Sequence, residues 1–212
     1  FILSFLFFLT ALLYSSVGFG GGSSYLALLL IWGTPYQVFP VIALCCNIIV
    51  VSGNCFNFVR EGDTNFKLVS PYLISSIPLA FIGGSLEIEQ NTFEILLFIT
   101  LSIAGFFLLI KFKSFDNKDE IYRKIPNIIS ILIGGTIGFV SGIVGIGGGI
   151  FLSPILLLIR VSKAKHIAAT ASIFILINSI AGIAGQITKD SILSEIYNYW
   201  PLFLLVFIGG QL

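Results

Sequence analysis

The six residues Val17-Gly18-Phe19-Gly20-Gly21-Gly22 stand inside an uncharged, largely apolar run from Phe1 to Trp32. A run of that length exceeds the roughly 20 residues a helix needs to cross a bilayer. Three adjacent glycines do not suit a helix interior, since each costs up to about 1 kcal/mol against alanine. The pattern returns 127 positions later as Val144-Gly145-Ile146-Gly147-Gly148-Gly149, within a second run from Ile128 to Ile159. Glycine-interrupted hydrophobic segments at matching positions in two halves mark a transporter built from repeats, with its site where the helices break.

The remainder of the chain fits a membrane protein. It is 57% hydrophobic and 10% charged, where a soluble domain is about 25% charged. Further spans read as Pro40 to Phe58, Phe66 to Leu86, Phe93 to Ile110 and Ile167 to Gln186, with another opening at Trp200. Phe207-Ile208-Gly209-Gly210-Gln211-Leu212 matches Phe81-Ile82-Gly83-Gly84-Ser85-Leu86 at an offset of 126, which confirms an internal repeat at the sequence level. The expected organisation is a first transmembrane repeat over 1–110, a polar cytoplasmic linker over 111–127 and a second repeat over 128–212. One further span is expected after Leu212.

Charge decides how the halves insert. If each broken segment crosses once, Lys and Arg divide eight to three between the two sides. If each enters and returns as a hairpin, only Lys189 of the 11 lies on the minority side, a division of ten to one. The positive-inside rule counts Lys and Arg in short loops and favours the hairpin. The fold expected is therefore an all-α polytopic membrane protein of two homologous, inverted repeats. Each repeat is a glycine-broken hairpin plus about three spans.

The breaks offer their own chemistry. At Gly20, Gly21 and Gly22 the chain can take positive φ and turn. A helix starting at Ser23 and Ser24 then aims unpaired N–H groups and the positive end of its dipole into the break. Such a helix start binds anions without a charged side chain, and a serine there can cap or bind. The second copy offers Gly147, Gly148 and Gly149, with Ser153 one turn on. If the repeats are inverted, the two helix starts converge near the midplane. Asn47, Thr170 and Asn178 lie within spans as further polar candidates. No Asp, Glu, Lys or Arg lies deep in any span, where a proton relay or carboxylate ion site would show one. Gly134, Gly138 and Gly142, at spacing four, read as small-residue helix packing. Neither the Gly-Lys-Ser/Thr of a P-loop nor a strand-turn-helix context follows the glycines, so nucleotide and nucleic-acid readings fail. The cysteines lack metal-ligand spacing, and no cofactor or enzymatic constellation emerges.

At these residues the chain resembles the TauE/SafE-like sulfite exporter family, also called the toluene sulfonate uptake permeases. The resemblance is carried by Gly18-Phe19-Gly20-Gly21-Gly22 and Gly145-Ile146-Gly147-Gly148-Gly149, the latter followed by Ile150-Phe151-Leu152-Ser153-Pro154. It extends to Arg60-Glu61-Gly62-Asp63, to the Lys163 to Thr170 stretch and to Gly83-Gly84 with Gly209-Gly210. It implies a multi-pass permease of the cell inner (plasma) membrane for sulfite, sulfonates or related sulfur-containing anions. The first copy has Ser23-Ser24-Tyr25 where family members often carry a proline, so the halves are expected to contribute unequally. An anion channel, and a membrane protein handling sulfur through Cys45, Cys46 or Cys55, stay open as alternatives. So do monomer and homodimer.

Overall fold

The computed structural model describes residues 2–109, 123, 125–189 and 196–211. Among these the chain is helical, with no strand. The helices are α1 (Ile2–Ser16), α2 (Gly22–Ile31), α3 (Phe39–Glu61), α4 (Phe66–Ser85), α5 (Gln90–Leu109), α6 (Asn127–Val144), α7 (Gly149–Ile159), α8 (Ala164–Gln186) and α9 (Trp200–Gln211). Short 3-10 turns at Tyr36–Val38 and Tyr197–Tyr199 lead into α3 and α9. The expected linker lies outside the described residues apart from 123 and 125–127. α4 continues through Pro71 and Pro78.

Among the described residues, five helices are long and apolar enough to cross a membrane: α3 with its leading turn, α4, α5, α6 and α8. Their described charged residues sit within the first two turns or the last turn, as at Arg60, Glu61, Lys67, Glu94 and Lys165. Large apolar side chains such as Phe98, Ile128 and Phe207 face outward, as a hydrocarbon solvent allows. α3 and α8 are each 67% buried along their apolar windows, against 22% for α5, so α3 and α8 form the centre and α5 the rim.

Contacts between the two halves come in matched pairs. α4 packs on α6 as α9 packs on α1, and α4 packs on α8 as α9 packs on α3. α3 and α8 run antiparallel: Leu44 lies against Gly182, and the Lys165 ammonium is 2.8 Å from the Glu61 carboxylate. α4 and α6 run parallel, with Gly134, Gly138 and Gly142 set against the backbone at Tyr72, Ser76 and Ala80. A Cβ at any of these three glycines would meet α4 main chain, so the spacing-four stripe is the seam that lets the helices close. Ser75 Oγ reinforces it by donating to Ile131 O at 2.5 Å.

Both broken segments double back. The rings of Phe7 and Tyr25 pack at a tilt with centroids 4.8 Å apart, although 18 residues of unbroken helix would separate them by about 27 Å. In the second copy the Arg123 N–H donates to Arg160 O at 3.1 Å, so the two ends of that segment meet.

Candidate substrate site at the two helix breaks

The returns are made by glycines in left-handed backbone. α2 is capped by Gly21 (φ 84°) and α7 by Gly148 (φ 80°), with no side-chain cap in either case. α2 thus begins at Gly22, one residue ahead of the expected serines. Ser23 is its second residue, and Ser24 spends its hydroxyl on Tyr14 Oη at 2.9 Å. Gly20 to Ser23 and Gly147 to Gly149 are buried. Among the described residues no carbonyl accepts from the N–H groups of Gly20, Gly21, Gly22 and Ser23, nor from those of Gly147, Gly148 and Gly149. Buried N–H groups nearly always find a partner, so two clusters of unclaimed donors are unusual.

Asn47, midway along α3, joins the clusters. It is fully buried, and its Nδ2 donates to Ile146 O in the second break at 3.0 Å. Its side chain also covers the first break, since a Cβ at Gly20 or Gly22 would collide with it. A Cβ at Gly147 would meet Asn47 Nδ2 and Ser179 Oγ. From the other half, Ser172 Oγ on α8 donates to Gly18 O. Each half's central helix therefore holds the other half's break.

A small cavity of about 20 Å³ lies at the first break. One wall is Tyr14, Phe19, Gly20 to Ser23 and Asn47; the other is Ile146, Ile150 and Ile175. That is about the room one water needs. An oxyanion fits only if the isoleucines withdraw. No charged side chain lines it.

A larger cavity of about 500 Å³ opens beside the start of α3 and the end of α8, lined by Tyr36, Glu87, Glu89, Phe93, Gln186 and Lys189 among others. Lys189 donates to Gln186 Oε1 at 2.9 Å, and Gln186 Nε2 donates to Gly142 O at 3.1 Å. Burial pulls the Lys189 amine below its usual range, with Glu87 acting in the opposite direction. Two carboxylates against one ammonium give this cavity a negative balance, which suits a mouth better than an anion site. Pro40 and Ile143 line it, and Gly145 packs on Pro40, so the second break separates the two cavities.

The remaining candidates lie away from the small cavity. Ser153 is buried one turn inside α7. Thr170 donates to His166 O within its own helix at 2.8 Å. Asn178 is buried on α8 and donates to Phe174 O at 2.8 Å. At the offset of 127 the counterpart of Asn47 is Phe174, which lies against Gly148. The cysteines all lie on α3 and are unpaired. Tyr14 and the Ile146 carbonyl belong to the breaks but were not among the sequence candidates for the site; Ser172 and Ser179, polar residues of the same span as Thr170 and Asn178, belong to the breaks too, although Asn178 is the residue the sequence favours there. Their placement depends on which helix packs where.

The model of the family described as "Sulfite exporter TauE/SafE" matches residues 3–212. The chain belongs to the TauE/SafE sulfite exporter family. It is similar to a "Probable membrane transporter protein" of Sinorhizobium fredii, 29% identical over 97% of this chain and 83% of that protein. Similar proteins of the same description occur in Bacillus subtilis, 23% identical over 79% of this chain and 71% of the relative, and in Methanocaldococcus jannaschii, 26% identical over 87% and 71%. No solved structure matches. This TauE/SafE chain is a multi-pass membrane transporter, and the glycine breaks lie within its matched region.

Proposed function

We propose that the protein carries small sulfur-containing oxyanions, such as sulfite or a sulfonate, across the cell inner membrane, binding them at the first break. The observation that carries this reading is the cluster of buried, unclaimed N–H groups at Gly20 to Ser23, with Asn47 alongside and no carboxylate in the lining. N–H groups at a helix start complement an oxyanion without the desolvation cost of a buried cation. The second break acts as the movable wall. Withdrawal of Ile146, Ile150 and Ile175 makes room, and the seal at Pro40 and Gly145 opens towards the larger cavity. Antiparallel α3 and α8, the matched contacts between halves and the ten-to-one charge division support inverted repeats with the basic loops in the cytoplasm. A membrane potential negative inside favours anion exit by about 2.3 kcal/mol per charge per 100 mV, so export needs no coupling ion.

The test is a flux panel in proteoliposomes with sulfite, thiosulfate, sulfate and methanesulfonate. Saturable counterflow of at least one sulfur anion is expected, and transport of none overturns the reading. Single-cysteine labelling at 118 and 163 in a cysteine-free background is expected to mark both from the cytoplasmic side. Labelling from opposite faces would rule out inverted repeats.

A further inference from the structure

One group at the small cavity has the wrong polarity for a fully ionised anion. Asn47 is wholly buried, and its bond to Ile146 O identifies the nitrogen end of its amide. Oδ1 is therefore the end aimed at Gly20, where an added Cβ would strike it. Among the described residues Oδ1 accepts no hydrogen bond. A buried acceptor left unmatched is costly, and one facing the lone pairs of an oxyanion is repelled. A ligand that brings its own O–H removes both penalties.

Charge points the same way. The lining holds no cationic side chain, and the Born cost of burying an ion scales with the square of its charge. A dianion therefore costs about four times as much to bury as a monoanion. We propose that the site selects the singly protonated form of its oxyanion. The ligand O–H donates to Asn47 Oδ1, and the remaining oxygens accept from the N–H groups of Gly20 to Ser23. This deepens the anion reading above and rests on it. It ranks hydrogen sulfite, in its O–H form, above sulfite dianion and above sulfonates, which are monoanions without a donor.

The titratable groups around Asn47 are few. α1 brings Tyr14, α2 brings Tyr25, and α3 itself carries Cys45 and Cys46; α7 and α8 present Ile150, Ile175 and Ser179. Phenols and thiols ordinarily titrate above the second ionisation of sulfurous acid, so the ligand sets the pH dependence.

The experiment measures binding of sulfite and of methanesulfonate to the purified full chain across that ionisation. Sulfite affinity is expected to follow the hydrogen sulfite fraction, rising as pH falls and then levelling. Methanesulfonate is expected to bind roughly 5- to 150-fold more weakly than hydrogen sulfite, with a flat profile. In Asn47→Ala the ratio between the two ligands should shrink towards one. If the variant does not fold, the two profiles on the native chain still decide.

Several results would overturn the proposal: methanesulfonate binding as tightly as hydrogen sulfite, sulfite affinity that is flat or rises with pH, an Asn47→Ala variant that weakens both ligands alike, or a requirement for sodium at fixed pH, which would put a cation at Oδ1. Binding of neither ligand removes the anion reading itself, and so is distinct from failure of the protonation step alone.

Discussion

The two glycine breaks share a sequence pattern and a fold-back, yet their surroundings differ. Gly21 in the first faces Tyr14 and Thr10; Gly148 in the second faces Ile137 and Phe174. At the offset of 127, Tyr14 corresponds to Ser141, Thr10 to Ile137 and Asn47 to Phe174. The polar wall of the cavity comes entirely from the first half, and the second half supplies isoleucines. A repeated backbone turn thus does not make a repeated site. The glycines fix where N–H groups are left unclaimed, and the flanking helices decide whether a polar ligand is welcome there.

The contrast can be broken most sharply at equivalent glycines. A Cβ at Gly22 would stand 2.6 Å from Ile146 O and 2.7 Å from Asn47 Nδ2, both held by their mutual hydrogen bond. A Cβ at Gly149 would meet the buried Ile175 side chain at Cγ1 and Cδ1, an apolar contact with no hydrogen bond to break. Gly22→Ala is expected to lower anion transport roughly tenfold to a hundredfold, because it breaks into the polar wall, while Gly149→Ala, which displaces an isoleucine stiff at χ1, is expected to lower it less. Proteoliposome flux at matched protein content checks this, and equal losses would make the two breaks functionally alike.

Next in size is the support each break receives from the other half. Ser172→Ala leaves the buried Gly18 carbonyl without its donor. It is expected to cost about 1–3 kcal/mol of stability, read as a lower unfolding temperature in mild detergent. The loss should fall on stability, because Ser172 is not in the cavity wall.

Tyr14→Phe removes only the hydroxyl paired with Ser24. A loss of about 1 kcal/mol, or roughly fivefold in anion affinity, is expected. Ser141→Ala at the equivalent position is expected to leave affinity unchanged. Equilibrium binding on both variants would show whether the asymmetry extends to this pair.

The smallest effect concerns the loop contact at the far end of α3 and α8. Lys165 sits 2.8 Å from Glu61 and 2.7 Å from Asp63. Hydrogen bonding to Lys165 holds the Asp63 carboxyl below the usual carboxylate range, and Asp63 in turn raises the Lys165 amine. A depressed folded-state pKa contributes stability above the unfolded value, which is lost as pH falls through the folded one. Acidification below the ordinary Asp range should therefore loosen this loop, seen as faster amide exchange around Asp63. Lys165→Gln should abolish that pH step, and high salt should weaken it in the native chain.

Much of this was legible in the residues. The breaks, the spans and the packing stripe of Gly134, Gly138 and Gly142 follow from apolar length and glycine spacing, which act locally. Helix caps were less so: left-handed Gly21 starts α2 at Gly22, which frees Ser24 to pair with Tyr14 instead of capping. The polar residues of α8 were the least legible. Thr170, Ser172, Asn178, Ser179 and Gln186 look alike in sequence, and only helix packing sends Ser172 to the first break and Gln186 to Gly142 O. The placement of Asn178 away from Asn47 has the same origin, since its offset of 131 does not keep the repeat's register.

The exchange of hydrogen bonds between halves also bears on how the chain is made. Gly18 and Ser172 are 154 residues apart. At roughly 5–20 residues per second, the Gly18 carbonyl waits about 8 to 30 seconds for the hydroxyl that satisfies it. α1 must likewise wait for α9, its main packing partner. An unsatisfied backbone group in hydrocarbon costs several kcal/mol, so the first broken segment lacks its partners until the second half has been synthesised. Packing of the first broken segment is therefore a late event: its two helices lock only when α8 and α9 arrive.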